Sequence, residues 1–527
     1  MVSKLGEETH AAICRGELRG HDAALAEIGD SGWGLAIAAA RHLVDIEGGA
    51  MPSEETLRGA KPARAVAQAC RHAERAALVS WDLAQLRAWT TLHESLDDAP
   101  GLRRARAWIR LLEGDLDGLI EEGKALHAEG TAAQDASLVI DATLLRAMAA
   151  LTRRDREEAK SLARRASRMA RTEGLRAERF LASIVLARVR RHGGRPHLAT
   201  RILSAIAPIA PPIWQGWLRW ERVIAGWRPN AMKTDPLQSA PDVPSKRAAR
   251  ALIQWANAAS AGDRAAFDAA RDAVAGEVGG FADVAKEQRA LAGALDPSVP
   301  VDALPDPVRA WACGEEDETP AGLHGIVGPP DGPADSTIAS VVCRPGRAPR
   351  RVLRVATPLL QLEGDIVRLA RTRLRRGRVD TAIAALALAG PDGLPDARLF
   401  EKAYEFEFVS GLHAGILDVL VHRMRSRVGD AATIHRKAGT MSLVPEGILV
   451  LPDPRCVEHV EDRLLRVIAR HGGITTRQAA KELDVSVRTA QLALRRLLAS
   501  GDCVLNRDGR RVQYLVEDTT FTEPTRH

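Results

Sequence analysis

Side chains that can bind DNA bases and phosphates are concentrated near the end of the chain, in "VSVRTAQLALRR" (485–496). Arginine and glutamine can form paired hydrogen bonds with base edges, and hydroxyl groups commonly bind phosphates. The candidate DNA-binding residues of this segment are Ser486, Arg488, Thr489, Gln491, Arg495 and Arg496. Helical spacing places Arg488, Gln491 and Arg495 on one outward face, where they would contact bases. The hydroxyls of Ser486 and Thr489 would contact phosphates.

A second basic cluster follows at the tip of a predicted β-hairpin. The run "CVLNRDGRRVQYLV" (503–516) has alternating apolar residues on both sides of a DG dipeptide, which is typical of tight hairpin turns. Arg507, Arg510 and Arg511 therefore lie at or near the bend. We expect their guanidinium groups to contact the phosphate backbone or the minor groove of DNA.

The helices that must position these side chains are predicted immediately upstream. Residues 457–472 have the apolar spacing of an amphipathic helix. Thr475 and Gln478 form a T-x-x-Q capping box that begins a second helix. Asp484 occupies the turn after that helix, where a left-handed backbone is usual and aspartate is tolerated. Ser486 is a favourable N-cap for the third helix.

A helix, a helix-turn-helix and a basic hairpin in one contiguous segment are typical of a DNA-binding domain. Val457–Val516 resembles the C-terminal winged helix-turn-helix of bacterial transcription regulators. The resemblance implies double-stranded DNA as the partner. The alternative is a winged domain that contacts only protein.

A further segment, residues 338–451, resembles the OmpR/PhoB-type winged helix. The matching features are the β-like runs "TIASVVCRP" and "RRVLRVA", the basic helix end "HRMRSRVGD", and the strand-turn-strand "ATIHRKAGTMSLV". The resemblance implies a second set of DNA contacts at His422, Arg423, Arg425, Arg436 and Lys437. The start of the predicted long helix has no arginine, and Asp418 would face phosphates unfavourably. A spacer or dimerisation unit is the alternative.

Residues 65–295 read as successive amphipathic helices. Polar breaks near Asp115, Asp155 and Arg195 recur about every 40 residues, a period that belongs to helix-pair repeats. The architecture, but not the motif, resembles tetratricopeptide-type repeats. We expect the tryptophans of "PPIWQGWLRWERVIAGW" to fill the core between repeats, with a peptide or small-ligand groove as the alternative.

These segments predict a mainly α fold, in which an N-terminal α-helical repeat (solenoid-like) domain precedes two small α+β winged-helix modules. The predicted divisions are a helical-repeat domain (1–295), a Pro/Gly-rich linker (296–337), an OmpR/PhoB-like module (338–451), a winged helix-turn-helix domain (452–518) and a tail (519–527). The segment from Val341 onward contains 31 lysines and arginines and 22 acidic residues, which gives it a net charge of 31 − 22 = +9. The whole chain has a net charge of +6. The basic excess therefore lies in the part predicted to bind nucleic acid.

Motifs for catalysis are missing from the sequence. It has no phosphate-binding G-x-x-x-x-G-K-[ST] loop, no G-x-S-x-G elbow and no HExxH. The six cysteines are far apart without a CxxC pair, so we expect buried free thiols, no metal site and no cofactor. No apolar run is long enough to span a bilayer and the N-terminus lacks an apolar signal-peptide core, so we expect a cytoplasmic protein without membrane contact.

The sequence therefore predicts a non-enzymatic, DNA-binding transcriptional regulator. Its helical repeats would receive a protein, peptide or ligand signal and could form a homodimer. Two alternatives stay open. One is an interaction scaffold whose winged modules bind only protein, and the other is a regulator with a small-molecule pocket among the tryptophan-rich helices.

Overall fold

The computed structural model describes residues 2–47, 51–226, 236–316, 339–362, 364–369, 377–456, 460–471, 473–508 and 511–516. Its described residues form 24 α-helices and nine β-strands, and all of the strands lie after residue 338. The prediction of a mainly helical chain with strands confined to the C-terminal part is confirmed. None of the helices in these ranges has both the length and the apolar character needed to cross a lipid bilayer.

The helices before residue 317 are α1 (Val2–Cys14), α2 (Asp22–Ile28), α3 (Gly32–Val44), α4 (Glu54–Arg58), α5 (Ala63–Ser80), α6 (Leu83–His93), α7 (Ala99–Glu113), α8 (Leu116–Ala132), α9 (Ala136–Thr152), α10 (Arg156–Thr172), α11 (Arg176–His192), α12 (Pro196–Ile206), α13 (Gln215–Ile224), α14 (Pro236–Ser239), α15 (Pro244–Ala261), α16 (Arg264–Glu277), α17 (Ala282–Leu295) and α18 (Asp306–Cys313).

The elements after residue 338 are β1 (Ala339–Arg344), β2 (Arg347–Leu353), β3 (Ile366–Arg368), α19 (Arg378–Leu388), β4 (Leu394–Pro395), α20 (Asp396–Tyr404), α21 (Ser410–Val428), β5 (Ala432–Lys437), β6 (Thr440–Pro445), β7 (Ile448–Pro452), α22 (Val460–His471), α23 (Thr476–Glu482), α24 (Val487–Ala499), β8 (Cys503–Asp508) and β9 (Arg511–Val516).

The chain divides into two compact units. The described residues of the first unit are those up to 253 together with 272–288, and those of the second lie within 254–271 and 289–517. The predicted linker at 296–337 falls within the second unit. Its described part contains α18, where Trp311 is fully buried, so this stretch is packed. The rest of that linker, from 317, lies outside the described residues.

Helices α8 to α11 of the first unit follow a strict spacing. They begin at residues 116, 136, 156 and 176, and each is 17 residues long. A residue with positive φ ends each preceding turn, at Gly114, Gln134, Arg154 and Gly174. The aspartates that precede α8, α9 and α10 cap them, because each side chain accepts a hydrogen bond from the backbone N–H three residues later, at 3.0–3.2 Å. The polar breaks predicted near Asp115, Asp155 and Arg195 therefore coincide with the starts of α8, α10 and α12, which are every second helix of this series.

The tryptophans of the first unit form part of its core. Trp217 and Trp220 are fully buried, and both pack edge-on against Trp81, with ring centroids 6.2 and 5.4 Å away. Phe281 completes the cluster, 6.0 Å from Trp81. Trp214 is also buried, and its indole N–H donates to the carbonyl of Leu43 at 2.9 Å. These rings pack against the protein itself, as the core interpretation expects.

A buried ion network lies beside the tryptophans. Arg188 and Arg191 are fully buried and bind Glu221 and Glu287 from α13 and α17. The Nη1 atom of Arg188 is 2.8 Å from Glu221 Oε1, and the indole N–H groups of Trp217 and Trp220 donate to the two carboxylates. Burial alone would raise the pKa of Glu287, but Arg191 and Arg188 hold that pKa well below its usual range. The carboxylate therefore stays ionised inside the core.

The described residues of the second unit form three sheets. The largest has the strand order β2-β1-β7-β3, and the predicted β-like runs correspond to β1 and β2. A smaller sheet, in the order β4-β6-β5, forms around the hairpin that follows α21, and its strand β4 comes from the turn between α19 and α20. The β8–β9 hairpin is the third sheet.

Removing one carboxylate from the buried network should destabilise the first unit strongly. We expect Glu287→Ala to lower its free energy of unfolding by about 3–5 kcal/mol, because two guanidinium groups stay buried with less countercharge. Urea titration of the full chain, followed by tryptophan fluorescence, measures the loss because Trp217 and Trp220 adjoin the network. The matched control is Glu157→Ala, which removes an exposed ion pair with Lys160 and should cost less than about 1 kcal/mol. Equal losses in the two variants would contradict a stabilising role for the network.

Candidate nucleic-acid interface

Helices α22, α23 and α24 and the β8–β9 hairpin share a small apolar core. The buried side chains of α22 are Leu464, Leu465 and Ile468, and those of α24 are Ala490, Ala493, Leu494 and Leu497. Cys503 and Val516, paired at the base of the hairpin, are also buried. The hairpin becomes more exposed toward its tip, where Arg507 pairs with Val512. The core therefore holds one side of α24 and one end of the hairpin.

The turn between α23 and α24 has the geometry that the sequence predicts. The hydroxyl of Thr475 accepts from the N–H of Gln478 at 3.3 Å, and the amide oxygen of Gln478 accepts from the N–H of Thr475 at 3.0 Å. Asp484 has a φ of 52°, in the left-handed region. Ser486 caps α24 by accepting from the N–H of Thr489 at 3.1 Å. The start of α24 is thus fixed by backbone and side-chain hydrogen bonds.

Two contacts that sequence reasoning missed join the hairpin and α22 to the two helices. Ile474, just before α23, exchanges backbone hydrogen bonds of 3.0 and 2.8 Å with Tyr514 of β9. A guanidinium N–H of Arg463 donates to the carbonyl of Leu483 at 3.0 Å, at the end of α23. An apolar residue between Gly473 and the capping box was the sequence signal for the first contact. Nothing in the local pattern indicates the second.

The outward face of α24 contains the predicted base-contacting residues. Arg488, Gln491 and Arg495 are all exposed, together with the apolar side chains of Val487 and Leu492. Within the described part of the chain, neither Arg488 nor Arg495 has an acidic partner within 4.0 Å. The structure therefore brings the three polar side chains together on one surface, with their donors and acceptors unoccupied by other described side chains.

The other residues predicted on this helix already make protein contacts. The hydroxyls of Ser486 and Thr489 lie 2.7 Å apart within the helix cap. Arg496 donates to Glu461 of α22 at 2.8 Å, although its side chain is largely exposed. This pair places Arg496 toward α22, at the edge of the face that carries Arg488 and Arg495. Its charge is partly compensated, so its contribution to an anionic partner should be smaller.

The basic hairpin is described only in part. Arg507 is exposed on β8, and its backbone pairs with Val512. Arg511 begins β9 opposite Asp508, but its side chain lies outside the described residues, as does the whole of Arg510. Two further cations, Arg477 and Lys481, are exposed on α23 and were not singled out from the sequence. Both lie on the helix before α24. Because the first helix of a helix-turn-helix crosses the DNA backbone, this position could have identified them as candidate phosphate contacts.

The middle segment has the predicted elements but a different surface. The buried side chains of α21 are Leu417, Leu420, Val421, Met424 and Val428, which lie at helical spacing. His422, Arg423 and Lys437 are exposed, whereas Arg425 donates to the carbonyl of Ile434 at 3.2 Å. Arg436 binds the carboxylates of Asp396 and Asp418, with a distance of 2.6 Å to the latter. Two of the five predicted DNA contacts in this segment are therefore engaged within it.

An apolar stripe covers the first half of α21 on its exposed side. Leu412, Ile416 and Val419 follow one another at helical spacing, with exposed fractions of 74%, 43% and 50%. Val409 and Phe406 extend the apolar surface before the helix. The resemblance stated from the sequence, to the OmpR/PhoB-type winged helix, predicts that this helix enters the major groove. Here that helix start offers apolar side chains without any cation.

The described surface of the C-terminal segment thus contains exposed arginines and a glutamine on α24, and the exposed Arg507 on the adjoining hairpin. Comparison of the chain with protein-family models, with curated proteins and with solved structures gives no match.

Proposed function

We propose that this protein is a DNA-binding transcriptional regulator, and that residues 460–516 form a winged helix-turn-helix that binds double-stranded DNA. The observation that carries the proposal is the exposed face of α24, where Arg488, Gln491 and Arg495 lie together without acidic partners among the described residues. The hairpin joined to the same helices through Ile474 and Tyr514 would be the wing. The family resemblance of the sequence gives the same arrangement.

The chemistry of the α24 face suits the major groove. An arginine can donate two hydrogen bonds to guanine O6 and N7, and a glutamine can bind adenine N6 and N7. The exposed Val487 and Leu492 could contact thymine methyl groups between these polar contacts. Side chains near the start of a recognition helix lie deepest in the groove, and Arg488 and Gln491 occupy its first two turns.

The cations around this face would supply the binding energy that does not depend on sequence. Arg507 and the two arginines that follow the DG dipeptide would contact phosphates from the hairpin. Arg477 and Lys481 on α23 would add contacts with the backbone on the other side. Such contacts position the domain on the duplex, while the α24 side chains would discriminate between bases.

The helical unit would receive the regulatory signal as a helix-repeat scaffold. The spacing of 20 residues between helix starts, from α8 to α12, supports a repeated helix-pair architecture. The buried tryptophan cluster favours a protein or peptide signal on the outer surface over a small molecule between those rings. The proposal includes no catalytic activity, and it places the protein in the cytoplasm with the DNA.

Base-contacting and phosphate-contacting residues should give different mutational signatures in the full chain. A preferred site is first selected from a random duplex library. Arg488→Ala and Gln491→Ala should each cost roughly 1–3 kcal/mol on that site and much less on random DNA, because they remove base contacts. Changing Arg507, Arg510 and Arg511 together to alanine should weaken binding to both DNAs alike. Each lost phosphate contact should lower the salt slope of log K by about 0.9.

Fluorescence anisotropy at several salt concentrations measures both effects. Arg398→Ala is the matched control, since Arg398 is exposed on α20 and pairs with Glu401 at 3.1 Å. It should change neither affinity nor salt slope. The proposal is wrong if the full chain binds no duplex, or if folded Arg488→Ala and Gln491→Ala proteins keep their site preference.

A second candidate function is dimerisation through the middle segment, and the exposed apolar stripe of α21 favours it. Regulators of the helix-turn-helix type commonly bind two half-sites as dimers. A second copy of the chain could cover Leu412, Ile416 and Val419 by packing the same helix face against them. In that arrangement α21 would contact protein, and α24 alone would contact bases.

Adding charge to this stripe separates the two roles of α21. We expect Leu412→Arg with Ile416→Arg to convert a dimer to a monomer in sedimentation velocity, because two guanidinium groups would oppose the same groups of the partner. The affinity for random DNA should not increase. Val444→Arg is the control, since Val444 is similarly exposed on β6. An unchanged oligomeric state would show that the start of α21 does not lie in a dimer interface. A steeper salt dependence of DNA binding would indicate instead that the start of α21 lies against DNA.

A further inference from the structure

Two histidines and a cysteine converge in the first unit, away from every site predicted from the sequence. His10 and Cys14 lie one turn apart on α1, and His72 lies on α5. The Nε2 atoms of the two imidazoles are 2.8 Å apart. The Sγ atom of Cys14 is 3.7 Å from Nε2 of His10 and 3.9 Å from Nε2 of His72. The three potential ligand atoms thus form a compact triangle.

The size of this triangle is close to that of a tetrahedral zinc site. Zinc–nitrogen bonds near 2.0–2.1 Å and zinc–sulfur bonds near 2.3 Å place two nitrogens about 3.3 Å apart and nitrogen and sulfur about 3.6 Å apart. The sulfur distances already agree to within about 0.3 Å, and the imidazole nitrogens would need to separate by about 0.5 Å.

The surroundings of the site are sheltered and carry compensated charge. His10 is buried, and its ring lies 5.6 Å from that of Trp33. Three arginines act on His72, but each is bound by carboxylate: Arg71 by Asp98 and Asp135, Arg75 by Asp141, and Arg104 by Glu74. With Glu178, which acts on Cys14, five carboxylates surround these three guanidinium groups. The charge of the three arginines is therefore compensated by carboxylates.

We propose that His10, Cys14 and His72 bind one zinc ion, with water or another small ligand in the fourth position. Two imidazoles and a thiolate are ligands that select a d¹⁰ ion of intermediate softness over magnesium or calcium. The described residues supply three ligands, which is the number found in zinc sites that keep one open position. The ion would also join α1 to α5, whose ligands are 58 and 62 residues apart in the chain.

The competing account is a metal-free hydrogen-bonded cluster. In that account one imidazole donates to the other across 2.8 Å, and the thiol makes a weak contact with both. Zinc binding differs from it in a measurable way, because it requires the sulfur as a direct ligand. Metal analysis of the protein, purified without chelators and without a polyhistidine tag, can therefore distinguish the two accounts.

Elemental analysis of the full chain purified from zinc-containing medium should give about one zinc per molecule. Cys14→Ser and His72→Gln should each lower that content at least several-fold, and Cys313→Ser should not, since Cys313 is a comparably half-buried thiol on α18. Cobalt substitution of the unmutated chain should produce a thiolate-to-cobalt charge-transfer band and the intense visible bands of a tetrahedral ion.

The cobalt spectrum keeps the test valid even if a variant fails to fold, because it needs no substitution at the site. Zinc content well below one per chain, together with no charge-transfer band on cobalt addition, would overturn the proposal. Metal retained undiminished by folded Cys14→Ser and His72→Gln proteins would overturn it too. Copper is measured in the same samples to distinguish zinc from the other thiophilic d¹⁰ ion, copper(I), and copper in place of zinc in the purified protein would count against the assignment to zinc.

Discussion

The turns between several successive helices of this chain depend on one residue in the left-handed backbone region. The N-cap of the next helix follows that residue within two positions. Gly114, Gln134 and Arg154 occupy this position in the first unit, and Asp484 occupies it between α23 and α24. Left-handed backbone costs a residue other than glycine, asparagine or aspartate, such as Gln134 or Arg154, about 1–2 kcal/mol, which the surrounding packing must offset. The caps satisfy amides that would otherwise lack partners at each helix start. The reversal therefore decides where each helix begins, and hence which side chains share a face.

That constraint accounts for the surface on which the proposed function rests. Because Ser486 fixes the start of α24, Ala490, Leu494 and Leu497 point into the core and Arg488, Gln491 and Arg495 point outward. The bridge between Ile474 and Tyr514 then holds the hairpin beside the same helices. Candidate base contacts and candidate phosphate contacts thus stand on elements with fixed relative positions. A slip of one residue at the turn would rotate the arginines by about 100° around the helix.

Local periodicity predicted much of the fold. The starts of α8, α10 and α12, the capping box at Thr475 and the left-handed Asp484 are all visible in the sequence. They depend on residues a few positions apart, whose spacing follows directly from helix geometry.

Long-range side-chain pairing was not predictable in the same way. Arg188 binds Glu287 across 99 positions, and Arg436 binds Asp396 across 40. The three residues of the proposed zinc site come from helices 58 or more positions apart, although the spacing of His10 and Cys14 by one helical turn was a local indication. The packed helix α18 likewise lies in a stretch whose prolines suggested a linker, because proline is favourable at a helix start such as Pro307. Tertiary contacts, which no short pattern records, determine these features.

The proposed function requires that α24, and not α21, lies against DNA bases. Photo-crosslinking tests it most directly, with a photoreactive amino acid placed at Leu492 or at Ile416 of the full chain, two similarly exposed positions. With a duplex that carries the preferred site, we expect a crosslink to bases from position 492 and none from position 416. A crosslink from position 416 with none from position 492, or none from either, would contradict it.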